Sequence, residues 1–124
     1  MNLQESGEMY LETILILSKE RERVRSMDVV NYMGFSKPSV SRAVRNLKDA
    51  GYIEVGDDNS LTLTETGHEV AEKIYERHQV LTGMLMALGV DRKIASEDAC
   101  KIEHDLSDVT FEAIKNHFSE NIEC

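Results

Sequence analysis

A chain of 124 residues with a formal net charge of −9 forms one compact domain or two small coupled ones, which excludes most multi-lobed enzymes. Hydrophobic residues make up 41% and charged residues 30% of the composition, so we expect a folded, helix-rich chain. It shows neither a membrane-span stretch nor a secretory leader. We therefore expect a small binding or regulatory protein in the cytoplasm, where Cys100 stays a thiol unpaired with Cys124.

The average charge hides one basic segment. Residues 19–48 hold eight basic and three acidic side chains, a local net charge of +5, whereas the rest of the chain has a net charge of −14. A protein that neutralises phosphates needs a basic surface. The asymmetry therefore assigns any nucleic-acid binding to residues 19–48 and predicts a second function for the acidic remainder.

Two helices are predicted at the start of the chain. The apolar spacing over residues 7–19 predicts the first helix, with Ser6 as its cap. Ser26 is the expected cap of a second, shorter helix, which Gly34 ends.

A third helix follows after a short glycine-containing turn, which is the helix-turn-helix pattern. Ser36 is its expected cap, and Pro38 is tolerated because it lies in the first turn. On the outer face, we expect Arg42 and Asn46 to contact base edges, and Pro38 and Ser39 to contact thymine methyl groups. A three-helix packing unit without a nucleic-acid role is the alternative. The predicted DNA-contacting set, phosphate contacts included, is Ser36, Lys37, Pro38, Ser39, Ser41, Arg42, Arg45, Asn46 and Lys48.

The apolar period then changes from helical to alternating, over residues 52–55 and 61–63. This change predicts a β-hairpin with a polar loop at residues 56–60. A helix-turn-helix followed at once by a hairpin is a winged helix. Phosphates would repel Asp57 and Asp58 in the wing loop, so we expect the wing to contact DNA weakly.

The remaining chain predicts three more helices. Thr64 caps a long one that ends near Leu88, a second runs from about residue 92 to 106 with Ile102 facing inward, and Ser107 begins the last. These helices carry more apolar surface than a winged helix can cover. The surplus predicts a symmetric homodimer.

One helix face in this region carries three metal-ligand types. Cys100, Glu103 and His104 have i, i+3 and i+4 spacing, which brings their polar ends to one point on a helix. His78 lies on the apolar stripe of the long helix, against which this helix must pack. Thiolate, carboxylate and imidazole together are typical of a transition-metal site.

Met9 or Glu12 of the first helix could complete such a site. Ordinary alternatives exist for each member: a solvated Glu-His face, a cysteine packed as a small hydrophobe, and a core histidine. The residues alone leave both interpretations open, because spacing does not fix long-range partners. A Cys-His hydrolase is disfavoured because no glycine-rich oxyanion turn lies near Cys100, so we predict that the chain is not an enzyme.

Four sequence runs together resemble the DtxR/MntR family of metal-activated transcriptional repressors. They are GEMYLETI at residues 7–14, GFSKPSVSRAVRNLKDAGYIEV at 34–55, LTLTETGHEVAEKIYERHQVL at 61–81 and ACKIEHDLSD at 99–108. The resemblance spans residues 7–119 in the same order of elements. It implies a mainly α fold with a small β-hairpin: a winged helix-turn-helix domain at residues 1–64 and an all-helical dimerisation and metal-binding domain at 65–124.

The same resemblance implies a mechanism. A divalent metal held between the first helix and the dimerisation helices fixes two DNA-binding heads at the spacing of a palindromic operator, usually near metal-uptake genes. Metal and DNA then strengthen each other's binding, typically by about 1 to 3 kcal/mol. The implied ligands are Met9, Cys100, Glu103 and His104, with His78 at a second or bridging position.

The implied metal depends on two branches of the family. Met9 with Cys100 resembles the iron-responsive branch, whereas Glu12 matches a ligand position of the manganese-responsive branch. Thr82 and Ser96 stand where iron-branch members often carry further ligands. Soft sulfur donors favour Fe(II) over Mn(II), and Zn(II) or Co(II) are expected to bind in vitro. The sequence thus predicts a repressor of metal-uptake genes, or alternatively a winged-helix regulator that senses a small organic ligand.

Overall fold

The computed structural model describes residues 5–118, and the chain divides into two compact units, Met1–Glu72 and Lys73–Cys124. Cys124 lies outside the described residues. Helices, a two-stranded antiparallel sheet and three further helices follow in order, which confirms the predicted mainly α class with one hairpin. No helix among residues 5–118 is long and apolar enough to cross a membrane. The elements are α1 Glu5–Glu20, α2 Ser26–Met33, α3 Lys37–Asp49, β1 Ile53–Val55, β2 Leu61–Leu63, α4 Glu65–Ala87, α5 Arg92–Ile102 and α6 Asp108–Phe118.

The first unit is a winged helix. Leu11 of α1, Val29 of α2, Val40 of α3 and Ile53 of β1 are all at most 2% exposed. Full burial of each such side chain stabilises the fold by roughly 1.5 to 3 kcal/mol. Because these residues come from four elements, their burial fixes α3 with its opposite face toward solvent.

The start of α3 follows the prediction. Gly34 adopts a left-handed conformation with φ 76° and ends α2, as the sequence indicates. The Ser36 hydroxyl oxygen accepts a hydrogen bond from the Ser39 backbone N–H at 3.3 Å, and Pro38 lies in the first turn.

Two predicted caps are wrong. α1 begins at Glu5, so Ser6 lies inside its first turn and does not hold the cap position, which precedes the first helical residue. Ser26 is the first residue of α2, and Arg25 holds the cap position. The reason is Asp28, whose carboxylate accepts a hydrogen bond from the Arg25 backbone N–H at 2.9 Å and so fixes the helix start one residue earlier.

The hairpin has the predicted strands and loop, except that β1 begins one residue after Tyr52. Ile53 pairs with Leu63 and Val55 with Leu61, and Asn59 in the loop has φ 66°. The Thr64 hydroxyl accepts a hydrogen bond from the backbone N–H of Gly67 at 3.1 Å, which confirms the predicted cap of α4. A Cβ atom at Gly67 would lie 1.9 Å from the Tyr52 carbonyl oxygen, so only glycine permits this close approach.

The second unit contains the largest departure from the prediction. α5 ends at Ile102, four residues before the predicted end at Leu106, and Ile102 is 36% exposed instead of facing inward. The buried guanidinium of Arg77 binds the carbonyl oxygens of Glu103 and Leu106, which stabilises a turn where helix was predicted. The hydroxyl of Ser107 then accepts a hydrogen bond from the Thr110 backbone N–H at 3.1 Å and starts α6.

Candidate functional site

The second unit holds a hydrogen-bonded group of His78, Glu103 and Ser96. The Nδ1 atom of His78 lies 2.8 Å from Oε1 of Glu103, and its Nε2 atom lies 3.2 Å from the Ser96 hydroxyl oxygen. α4 supplies the imidazole, whereas Ser96 lies within α5 and Glu103 directly follows that helix. Both ring nitrogens of His78 are therefore held, which fixes the direction of the ring.

The carboxylate of Glu103 and the adjacent imidazole of His104 are almost completely buried. The Glu103 side chain is 0% exposed and that of His104 is 1% exposed, with the Glu103 Oε2 atom 3.4 Å from His104 Nε2. Within residues 5–118, Glu103 Oε2 accepts no hydrogen bond. A buried carboxylate costs several kcal/mol unless a charge or donor compensates it. A buried, under-coordinated carboxylate oxygen between two imidazoles therefore fits a divalent cation.

The other predicted ligands lie on two helices, α5 and α1. Cys100 is half-buried on α5, one helical turn before Glu103. Met9 is half-buried on α1, and Glu12 on the same helix is 8% exposed. Because α5 ends at Ile102, Glu103 and His104 belong to the turn that follows, although Glu103 keeps helical backbone angles of φ −61° and ψ −26°. Cys100 and Glu103 are therefore one helical turn apart in the structure, as their i, i+3 spacing predicts.

Sequence reasoning missed two contributors to this group. Arg77 precedes His78 in α4 and is 4% exposed, a burial that helix spacing alone does not predict for an arginine. Ser96 was identified only as a position where relatives carry a ligand, and its contact with the His78 ring was not predicted. The available signal was the amphipathic spacing of residues 77 and 81, which places the Arg77 stem on the buried face of α4.

The predicted DNA-contacting residues line the outer face and the start of α3. Eight of them are exposed and Ser39 is half-buried. The four cations of this set, Lys37, Arg42, Arg45 and Lys48, make no ion pair with any residue in the described range 5–118. The Ser36 hydroxyl donates a hydrogen bond to the Ser39 hydroxyl, with 2.9 Å between the two oxygen atoms. The helix therefore presents its positive charge to solvent.

The arginines before α2 behave differently. Arg21 pairs with Asp28 at 2.9 Å, and Arg23 pairs with Asp58 of the wing loop at 3.1 Å. Hydrogen bonds from Ser60, aided by the charge of Arg23, hold the pKa of Asp58 below its ordinary value. The acidic wing tip is thus partly neutralised from within the unit, a contact that sequence spacing did not reveal.

The chain is similar to known regulators along nearly its whole length. Residues 2–61 match the family described as iron dependent repressor, N-terminal DNA binding domain, and residues 64–124 match iron dependent repressor, metal binding and dimerisation domain. An uncharacterised HTH-type transcriptional regulator of Methanocaldococcus jannaschii is 36% identical over 115 residues, which cover 91% of this chain and 92% of the relative. The transcriptional regulator MntR of Escherichia coli O6:H1 is 34% identical over 106 residues, covering 86% and 68%.

A solved structure shares the architecture. The manganese regulator SloR superposes with a TM-score of 0.82 at 27% identity, over 96% of this chain and 55% of the SloR chain. The present chain thus spans about half the length of that solved regulator. Two family domains matched in order, together with the curated relatives, show that the chain belongs to the DtxR/MntR family of metal-responsive, DNA-binding transcriptional regulators.

Proposed function

We propose that this protein is a repressor of metal-uptake genes, acting in the cytoplasm as a homodimer, whose DNA binding is switched on by a divalent metal. The observation that carries the proposal is the buried carboxylate of Glu103, which is flanked by two imidazoles and whose Oε2 accepts no hydrogen bond from the described residues. Fully buried carboxylates are rare unless a cation or donors compensate them.

The proposed ligand set is the predicted one. Glu103, His104 and His78 form its centre, because their contacts within the second unit already bring carboxylate and imidazole atoms together. Cys100 joins from α5, and Met9 and Glu12 join from α1. When bound, the metal supplies positive charge that links these donors. The proposed domain boundary lies between Thr64 and Glu65, at the start of α4.

The proposed metal is Fe(II), with Mn(II) second and Zn(II) or Co(II) as in vitro substitutes. A thiolate donor at Cys100 favours the softer ions of the first transition row over Mn(II), whereas carboxylate donors such as Glu12 suit Mn(II). Replacing Cys100 by Asp is therefore expected to lower the affinity for Fe(II) and Co(II) relative to that for Mn(II).

The proposed DNA contact is the exposed face of α3. Its cations make no ion pair within the described part of the chain, which supports phosphate binding, and Arg42 and Asn46 are the proposed base-reading residues. A homodimer would present two such helices, so the proposed operator is a palindrome whose half-sites are spaced by the dimer.

The proposed switch is a thermodynamic linkage. A metal that joins donors of α1 to donors of the second unit favours one arrangement of the DNA-binding heads over the other conformations of the metal-free protein. If that arrangement also binds the operator, metal and DNA tighten each other's affinity by the same factor.

The test is an anaerobic titration of reduced, metal-free protein with Fe(II) and with Mn(II). We expect saturable binding at micromolar or lower concentration that is lost in His104→Ala and retained in the exposed control variant Glu97→Ala, which lies on α5. Binding that is absent, or indifferent to His104, would contradict the proposal and favour a winged-helix regulator that responds to an organic ligand.

A further inference from the structure

The guanidinium of Arg77 donates three hydrogen bonds through its two terminal nitrogens, whereas its buried Nε has no hydrogen-bond partner among the described residues. Its side chain is 5% exposed, and its NH1 group donates hydrogen bonds to the carbonyl oxygens of Glu103 at 3.0 Å and Leu106 at 2.7 Å. The NH2 group donates to the Asp108 carboxylate at 2.6 Å, and the guanidinium carbon lies 5.2 Å from the centre of the Phe111 ring. One side chain of α4 thus ties together the turn after α5 and the start of α6.

Arg77 and His78 are consecutive residues that act on the same glutamate. Arg77 binds the backbone carbonyl of Glu103, while His78 binds its carboxylate at 2.8 Å. The two contacts differ in one respect: the His78 contact uses atoms that a metal would need, whereas the Arg77 contact does not. Glu103 therefore keeps one anchor to α4 when its carboxylate exchanges a hydrogen bond for another partner.

We propose that Arg77 is a positioning residue for the metal centre, holding the backbone of the turn at Glu103 and His104 so that their side chains are in place before a metal arrives. This inference rests on the proposed function and deepens it. An arginine suits the role because its planar fork donates to several acceptors at fixed angles, whereas a lysine is a single flexible point charge.

Preorganisation lowers the entropic cost of binding, because the ligands need not be ordered when the ion binds. Residues that orient metal ligands without touching the metal typically contribute about 10-fold to 100-fold to affinity. We expect an effect of that size from Arg77, although it contacts backbone carbonyls in place of ligand side chains.

The test compares Arg77→Met and Arg77→Lys with Lys73→Met. Lys73 is the matched control because it binds the same Asp108 carboxylate at 2.9 Å but is exposed and, among the described residues, makes no hydrogen bond or ion pair with Glu103 or His104. Metal-free and Co(II)-loaded proteins are measured for Co(II) affinity, for the visible absorption bands that report coordination geometry, and for the midpoint of thermal unfolding.

Arg77→Met is expected to weaken Co(II) binding about 10-fold to 100-fold and to alter the absorption bands, with most of the loss remaining in Arg77→Lys. Lys73→Met should change the affinity less than about 2-fold. If the folded Arg77 variants have a lower unfolding midpoint but wild-type Co(II) affinity and spectrum, Arg77 is only structural and the inference is overturned. If Arg77→Met does not fold, the lysine variant decides the outcome by the same criteria.

The wild-type protein separates this inference from the proposed function. Absence of Co(II), Fe(II) and Mn(II) binding to the wild type would overturn the metal-switch proposal itself, and the positioning role with it. Wild-type binding that persists unchanged in both Arg77 variants would overturn the positioning role alone.

Discussion

The polar residues of the α3 surface and those of the His78–Glu103 group differ in exposure to solvent and in their contacts with the rest of the protein. On α3, four cations are exposed and make no ion pair with any other part of the described chain. Around Glu103, the buried carboxylate contacts the imidazoles of His78 and His104, and the buried guanidinium of Arg77 binds the Glu103 backbone carbonyl. The folded chain leaves the first set available to an external partner and organises the second set internally. The difference predicts that substitutions on α3 change binding without changing stability, whereas substitutions around Glu103 change both.

The largest expected effect is on metal affinity. Glu103→Gln keeps the size and hydrogen-bonding capacity of the buried side chain but removes its charge. We expect the affinity for Fe(II) and Mn(II) to fall more than about 100-fold, because loss of a ligand exceeds the 10-fold to 100-fold cost of losing an orienting residue. Isothermal titration measures it, with Glu97→Gln as the exposed control. Equal metal affinities of Glu103→Gln and Glu97→Gln would show that Glu103 is not a metal ligand.

The next largest expected effect is on DNA-binding affinity. Arg42→Ala is expected to weaken binding to an operator duplex by about 1 to 3 kcal/mol and to relax base preference at one position per half-site. Lys48→Ala should weaken binding to all duplexes alike. It should also reduce the slope of the logarithm of the binding constant against the logarithm of the salt concentration by about one. Fluorescence anisotropy at several salt concentrations separates the two roles. Arg21→Ala, whose guanidinium is paired with Asp28, is the control and should leave the affinity nearly unchanged.

A smaller effect is expected for Ser96→Ala, which removes the hydroxyl that contacts the Nε2 atom of His78 at 3.2 Å. The free energy of unfolding of the metal-free protein should fall by about 0.5 to 1.5 kcal/mol. Urea denaturation measures it, and the exposed α3 variant Arg45→Ala should stay within about 0.5 kcal/mol of wild type. A larger loss of unfolding free energy in Arg45→Ala than in Ser96→Ala would contradict the expected difference in stability between the two regions.

The smallest effect is a pH dependence. The hydrogen bond and charge of Lys73, followed by the charge of Arg77, lower the pKa of Asp108 below its ordinary value of 3.8. A lowered carboxyl pKa contributes stability that is complete above the ordinary value and lost as the pH falls through the lowered one. Thermal unfolding of Asp108→Asn should therefore differ from wild type at neutral pH and converge with it in strong acid. Added salt should shrink the difference, because Asp108 is exposed.

The fold followed from local sequence signals, whereas the buried polar contacts did not. Gly34, Ser36 and Pro38 specify the turn and start of α3, and alternating apolar residues specify the hairpin, because these signals act within a few residues of one another. The end of α5 was mispredicted because its cause, the Arg77 guanidinium, lies 26 residues from Glu103 in sequence. Helix periodicity carries no information about such a long-range hydrogen bond.

The candidate site shows the same division. The spacing of Cys100, Glu103 and His104 indicated a cluster, and the long helix indicated that His78 faces it. The hydrogen bonds that fix the ring of His78 from both sides depend on how α4 and α5 pack, which spacing alone does not determine. Likewise, the pairing of Asp58 with Arg23 depends on the three-dimensional course of the wing.

The central claim is that metal binding at Glu103 and DNA binding at α3 are linked. The most direct test is fluorescence anisotropy of a duplex selected from a random pool in the presence of Mn(II), titrated with wild type and Glu103→Gln, each with Mn(II) and with chelator. We expect Mn(II) to tighten wild-type binding about 5-fold to 150-fold and to leave the variant unchanged. Equal wild-type affinity with metal and with chelator would contradict the linkage.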